Sequence, residues 1–291
     1  MKKIILTAAL AITTFGVFAQ GSDQLVSKKG EMFLPEAGDW AVSFSAAPFL
    51  NYVGNLFSGA TASNTAPTAN FLNGNNTIIG KYYVDAQTAY RGLLRIGINS
   101  QGTDNLVADD VARAADPTST STVTDHWAAA QHFIGLGVGM EKRRGKTRLQ
   151  GYYGGEFMFA LSGSTNTYTY GNAFTSKDQL PTSTNWPGLT SGGTNQRTLE
   201  SDQGGTFGIS LQGFIGFEYF FMPKISVGGE YTWGINFQST AQGTQTVEAA
   251  NGTTSTSTTT HTGATSNFSL DSGINNPWGA PAGNLYINFH F

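Results

Sequence analysis

From residue 40 onward the chain alternates. Eight segments, 40–46, 78–84, 90–99, 134–141, 149–161, 207–221, 225–237 and 284–291, place apolar side chains at every second position. Small or polar residues stand between them. This is the two-residue period of a strand, not the 3.6-residue period of a helix. The apolar sets, such as Trp40, Val42 and Phe44 or Leu211, Ile215 and Phe217, contain no charge. The charges all fall in the other sets, as Lys81, Arg91, Arg95, Glu141, Glu156, Glu218 and Glu230. A water-soluble barrel would turn its charges outward. An apolar outside with a polar inside is the pattern of a transmembrane barrel, which must close because lipid offers no partner to an unpaired amide.

The connections alternate as well. Those at 85–88, 143–146 and 222–224 are tight, whereas 50–77, 100–132, 162–205 and 238–283 are long. Short periplasmic turns and long extracellular loops have this rhythm. The predicted fold is all-β, an eight-stranded antiparallel up-and-down transmembrane β-barrel over 39–291 with four long extracellular loops. Ten strands is the competing count. It needs two more strands inside 162–205, around Tyr168-Thr169-Tyr170.

Ahead of the first strand, Lys2 and Lys3 precede an apolar run, and Val17-Phe18-Ala19 offers a cleavage site. This reads as a signal peptide over 1–19, leaving a periplasmic tail at 20–38. No later stretch is apolar for ten consecutive residues, which excludes a helical span. Export and closure together predict the outer membrane, with its lipid as the surrounding partner.

Composition sharpens the picture. Charged residues make up 12% of the 291, against about 25% in ordinary soluble domains. There is no cysteine, so disulfides, thiol catalysis and thiolate metal sites are excluded. The net charge of −3 argues against nucleic acid as a partner. Aromatics gather near the tight turns, at Trp40, Tyr82, Tyr90, Tyr219, Phe221, Phe289 and Phe291, where side chains with an apolar body and polar edge favour a membrane boundary.

Three stretches carry a resemblance: 34–41 (LPEAGDWA) running on to Pro48-Phe49-Leu50-Asn51-Tyr52, the hairpin from Ile79 through Arg91, and the ending Leu285-Tyr286-Ile287-Asn288-Phe289-His290-Phe291. They are similar to the small outer-membrane β-barrel (porin-like) proteins of Bacteroidota. The resemblance implies the compartment and the barrel, and no activity. It also implies that Phe289 and the terminal Phe291 form the signal read by the outer-membrane assembly machinery.

Candidate chemistry is sparse. The seven inward charges form either a paired network that plugs the lumen or the lining of a narrow pore. Gly135, Gly137 and Gly139 leave room or accommodate bulky neighbours. Asp125-His126-Trp127, with His132 nearby, has the residue types for a general base beside a loop serine. Asp104, Asp109, Asp110 and Asp116 supply oxygens for a divalent cation, although Val107, Val111 and Ala114 between them suggest a short amphipathic helix. Lys142, Arg143, Arg144, Lys146 and Arg148 form a basic turn facing periplasmic lipid phosphates or solvent. The Thr-rich run 253–260 favours either a hairpin above the membrane or disorder, and Trp186, Pro187, Trp278 and Pro281 are expected to pack over the mouth. None of these motifs specifies a catalytic, cofactor or metal site. The expectation is a non-enzymatic surface protein that acts through its extracellular loops as a binding or structural component, or as an accessory subunit of an outer-membrane complex, with a surface or outer-membrane protein as the candidate partner. A small passive channel is the alternative, and a lipid- or peptide-modifying barrel enzyme the third reading.

Overall fold

In the computed structural model, residues 25–58, 72, 77–186, 195–271 and 283–291 are described. The expected signal peptide, residues 20–24 of the tail, and Pro187, Trp278 and Pro281 lie outside them. Among the described residues there are twelve strands and two helices. In chain order they are β1 (Trp40–Ser45), α1 (Ala47–Ser58), β2 (Ile78–Asp85), β3 (Thr88–Ala108), α2 (Asp110–Ala115), β4 (Thr122–Arg144), β5 (Leu149–Thr169), β6 (Gln196–Asp202), β7 (Thr206–Met222), β8 (Ile225–Thr240), β9 (Thr244–Ala250), β10 (Ser255–His261), β11 (Thr265–Asp271) and β12 (Gly283–His290).

Pairing closes on itself. β1 pairs β2, then β3, β4, β5, β7, β8 and β12 follow in order, and β12 returns to β1 with Ala41 opposite His290 and Ser45 opposite Tyr286. Every pair in this eight-strand ring is antiparallel. The other four strands continue ring strands upward. β6 runs into β7 through Gln203-Gly204-Gly205, and β8 into β9 through 241–243. Gly204 has φ +78°, and a side chain there would strike the Ala241 carbonyl, so the bend requires glycine. β10 and β11 descend along β9 and β8, and β12 completes that descent.

At this bend β5 changes partner. Residues 149–162 pair β7, and 165–167 pair β6. Above the ring, therefore, β3, β4, β5, β6, β9 and β10 form an open sheet, called the crown below. The long connections are thus largely strand. In place of the expected 100–132 loop, β3 pairs β4 as far as Ala108 opposite Thr122, and α2 lies at the tip. The alternation fades there because neither face of the crown meets a uniformly apolar environment, while backbone pairing needs no alternation. Tyr168 and Thr169 end β5, and β6 joins the crown, so the 162–205 segment adds no strand to the ring. The Thr-rich run forms β10, hairpinned to β9.

The ring is apolar outside. Phe44, Leu94, Val138, Phe157, Ile215, Trp233, Val84 and Leu285, one from each strand, are all exposed. The tight-turn aromatics Trp40, Tyr82, Tyr90, Tyr219, Phe221, Phe289 and Phe291 also point outward, with Trp40 packed on Tyr82 at 4.9 Å.

Candidate functional site

The period-two pattern puts a row of inward positions on each strand, and the register decides which meet. Lys81 lies opposite Arg91 on the β2–β3 pair, and Glu156 opposite Gln212 on β5–β7. Side chains then reach across the interior. Arg91 makes a bidentate contact with Glu230, at 2.7 and 3.2 Å, and lies 3.6 Å from Glu156. Lys81 pairs with Glu141 at 2.9 Å. Arg143 bridges Glu141 at 2.8 Å and Glu218 at 2.6 Å, and donates to the Tyr83 hydroxyl at 3.0 Å. Glu218 also accepts from Asn288 at 3.0 Å and from the Ser226 hydroxyl, and shares a 2.9 Å contact with His290.

Aromatic rings fill the space between the charges. The Arg91 guanidinium lies 4.0 Å from the Phe214 ring, and Arg143 stands between Tyr83, Tyr152 and Phe220. Arg95 sits apart from the carboxylates. It rests on Phe133 at 4.2 Å and donates to the Leu72 carbonyl at 2.8 Å. Four cations, Lys81, Arg91, Arg95 and Arg143, therefore face four anions, Glu141, Glu156, Glu218 and Glu230, all buried. Burying charge costs several kcal/mol per ion unless geometry and hydrogen bonds offset it. The multiple partners of Glu141 and Glu218 and the bidentate contact of Glu230 supply that offset, whereas Glu156 has the single 3.6 Å contact with Arg91.

The inward Gly137 and Gly139 are closely packed. A Cβ on Gly139 would meet Glu156 at 2.8 Å, and one on Gly137 would meet Met158 at 3.0 Å. Their space is already filled by neighbours.

One expectation is corrected. Arg143 belongs to the ring interior, not to the basic turn, because β4 continues to Arg144 and carries the alternation from Glu141 to Arg143. Lys142, Arg144, Lys146 and Arg148 remain exposed at the turn end; Lys142 donates to Thr88 at 2.7 Å. Arg148 covers the ring of Phe33 at 3.9 Å. The tail residues 25–38 are folded there, with Val26 bridged to Met32, Phe33 buried, and the Gly38 amide donating to the Tyr83 carbonyl. Lys224, in the last tight turn, is ion-paired with Asp39.

The crown has its own small core. Trp127, Tyr168 and Trp186 pack with centroids 6.1 and 6.4 Å apart. Arg197 lies over Tyr170 and Phe174 at 4.3 and 4.7 Å and pairs with Glu248 at 2.5 Å. Burial pushes the Tyr170 phenol up to about 12. Asp125 is fully buried and accepts the amides of Gly171 and Thr184, so it orients no imidazole. His126 instead meets Asp104 at 2.5 Å on an exposed face, and no hydroxyl is bonded to it among the described residues. His132 is exposed elsewhere on the same strand.

The other carboxylates have structural partners. Asp109 caps α2 by accepting the Ala112 amide at 3.0 Å, Asp110 accepts from the Thr182 amide and hydroxyl, and Asp116 accepts from Thr118. Among the described residues no cluster of metal-ligating side chains forms.

No family model matches the chain, and no curated protein matches it. The likeness to the Bacteroidota porin-like proteins thus rests on its three stretches alone. Among solved structures, the outer membrane protein OprG from Pseudomonas aeruginosa is similar over 89% of this chain and 98% of that one. Identity is 9% and the TM-score is 0.29. A likeness of that degree carries no argument here; the strand pairing and the distribution of side chains do.

Proposed function

We propose that this chain is an outer-membrane β-barrel, closed in its lumen, that holds the crown above the membrane as a non-enzymatic binding or structural surface. The carrying observation is the inversion of sides: apolar residues exposed on all eight ring strands, around eight buried charges. Water-soluble monomers rarely expose contiguous apolar patches beyond a few hundred Å². A band around the whole ring needs hydrocarbon against it. The paired charges and their interleaved rings support a plug rather than a pore.

The open end supports the surface reading. β3, β4 and β5 carry the crown upward as continuous strands, and 170–186 is tied across it by Asp110, Asp125 and Asn172. A rigid, ordered crown is suited to holding a protein partner.

Planar-bilayer recording of the folded protein tests the reading. Silence is expected, with steps appearing in a variant that loses the plug, Arg91→Ala with Arg143→Ala. Reproducible steps from the unaltered protein would instead establish the passive channel, with the interior charges setting its selectivity.

A further inference from the structure

Above the Arg95–Phe133 layer the ring interior opens into a cleft of about 450 Å³. Its wall is built from four adjacent strands whose register fixes the lining. Gln131 lies opposite Ser164, Phe133 opposite Ser162, Ser162 opposite Thr206, and Thr206 opposite Thr240. Gln203, Leu72, His132, Gly163 and Gly204 complete it. Thr206 and Thr240 bond to each other at 3.0 Å. The side chains of Gln131, Ser162, Ser164 and Gln203 have no hydrogen-bond partner among the described residues. They are groups that both donate and accept.

We infer that this cleft binds an uncharged, hydroxyl-rich ligand of the saccharide class. The argument proceeds by what the lining can satisfy. Among the described residues the lining has His132 but no Asp, Glu, Lys or Arg, so an ionic ligand would surrender its water without gaining a permanent counter-charge. A wholly apolar ligand would strand the hydroxyls and amides, each at the cost of an unmade hydrogen bond. A neutral polyol replaces the water of those groups one for one. Phe133 is buried beneath the cleft, and Arg95 packed on its ring and tied to the Leu72 carbonyl holds this floor in place. The volume is that of a small-ligand site. This inference goes beyond the proposed surface role, because the cleft lies inside the ring and takes a solute without any protein partner.

The test uses the folded chain in a sugar-free zwitterionic detergent, titrated calorimetrically with glucose, maltose, maltotriose and chitobiose. A galacturonate trimer serves as the charged comparison. Saturable binding of at least one neutral sugar is expected, and none of the galacturonate. Gln131→Leu combined with Thr206→Val should weaken binding about tenfold or more, the loss of one or two neutral hydrogen bonds. Ser164→Trp should fill the cleft and abolish binding. The inference is overturned if no neutral sugar binds the folded protein, if the charged trimer binds equally well, or if neither altered cleft changes the affinity. None of these outcomes depends on whether the crown holds a protein partner, which a crosslinking search on intact cells reads separately.

Discussion

Glu218 is the side chain on which most of the lower interior converges. One oxygen meets Arg143, and the other gathers Ser226, Asn288 and His290. Removing it leaves Arg143 with Glu141 as its remaining carboxylate partner, in a fully buried site. Glu218→Ala is therefore expected to destabilise the folded ring by about 3–5 kcal/mol, the usual cost of breaking a buried pair. Replacing Arg143 and Glu218 together by Met and Leu should cost clearly less than the two single changes added. Urea unfolding in lipid vesicles measures both; an additive double variant would contradict the pairing. The interior charges were legible from alternation alone, since Lys81, Arg91 and Glu156 each sit one position from an apolar residue. Arg143 was not, because five basic residues in seven look like a solvated turn. Its signal was the period carried two residues past Glu141. The polar partners Ser226, Asn288 and Tyr83 gave no signal, because a small or aromatic residue at an inward position looks the same whether or not it touches a carboxylate.

Among the elements, the tail and the crown depart most from what alternation reveals. Phe33 is buried under Arg148, and its carbonyl receives the Lys224 amide, so residues 25–38 are bound to the tight-turn end of the ring. Phe33→Ala should release this segment, with a local loss of about 3–5 kcal/mol for a truncated buried ring. Limited proteolysis should then cut within 25–38 while the ring stays resistant; an uncut tail would show that Phe33 does not hold it. The crown escaped strand assignment for a simple physical reason. Alternation records a difference between two environments, and in the proposed orientation the crown has water on both sides. Thr253–Thr260 still pointed to a hairpin through the strand preference of threonine. The aromatic core around Trp186 and Arg197 left no period at all.

For the whole molecule, the inversion of sides is the quantity to measure. Trp40 and Trp233 face outward from the ring, while Trp127 and Trp186 pack in the crown. In single-tryptophan variants reconstituted with brominated lipid, the first two should be strongly quenched and the second two hardly at all. Equal quenching of all four would put the crown in the bilayer and refute the proposed orientation. Tight turns and long connections gave the ring's order directly, since an up-and-down meander has little freedom once strand count and closure are known. The change of partner by β5 could not be read, because it depends on a bend at Gln203-Gly204-Gly205 that interrupts one strand without reversing it.

That shared strand has a mechanical consequence. β3 and β4 are paired over all 21 residues of β3, roughly 70 Å of continuous ladder at about 3.3–3.4 Å per residue. This pairing runs without a register shift from the ring into the crown. A load applied at the tip is carried lengthwise as shear, which strains many rungs at once, instead of peeling them one after another. In the proposed reading, a partner held by the crown is thereby fastened to the membrane through a rigid mast, not a flexible leash.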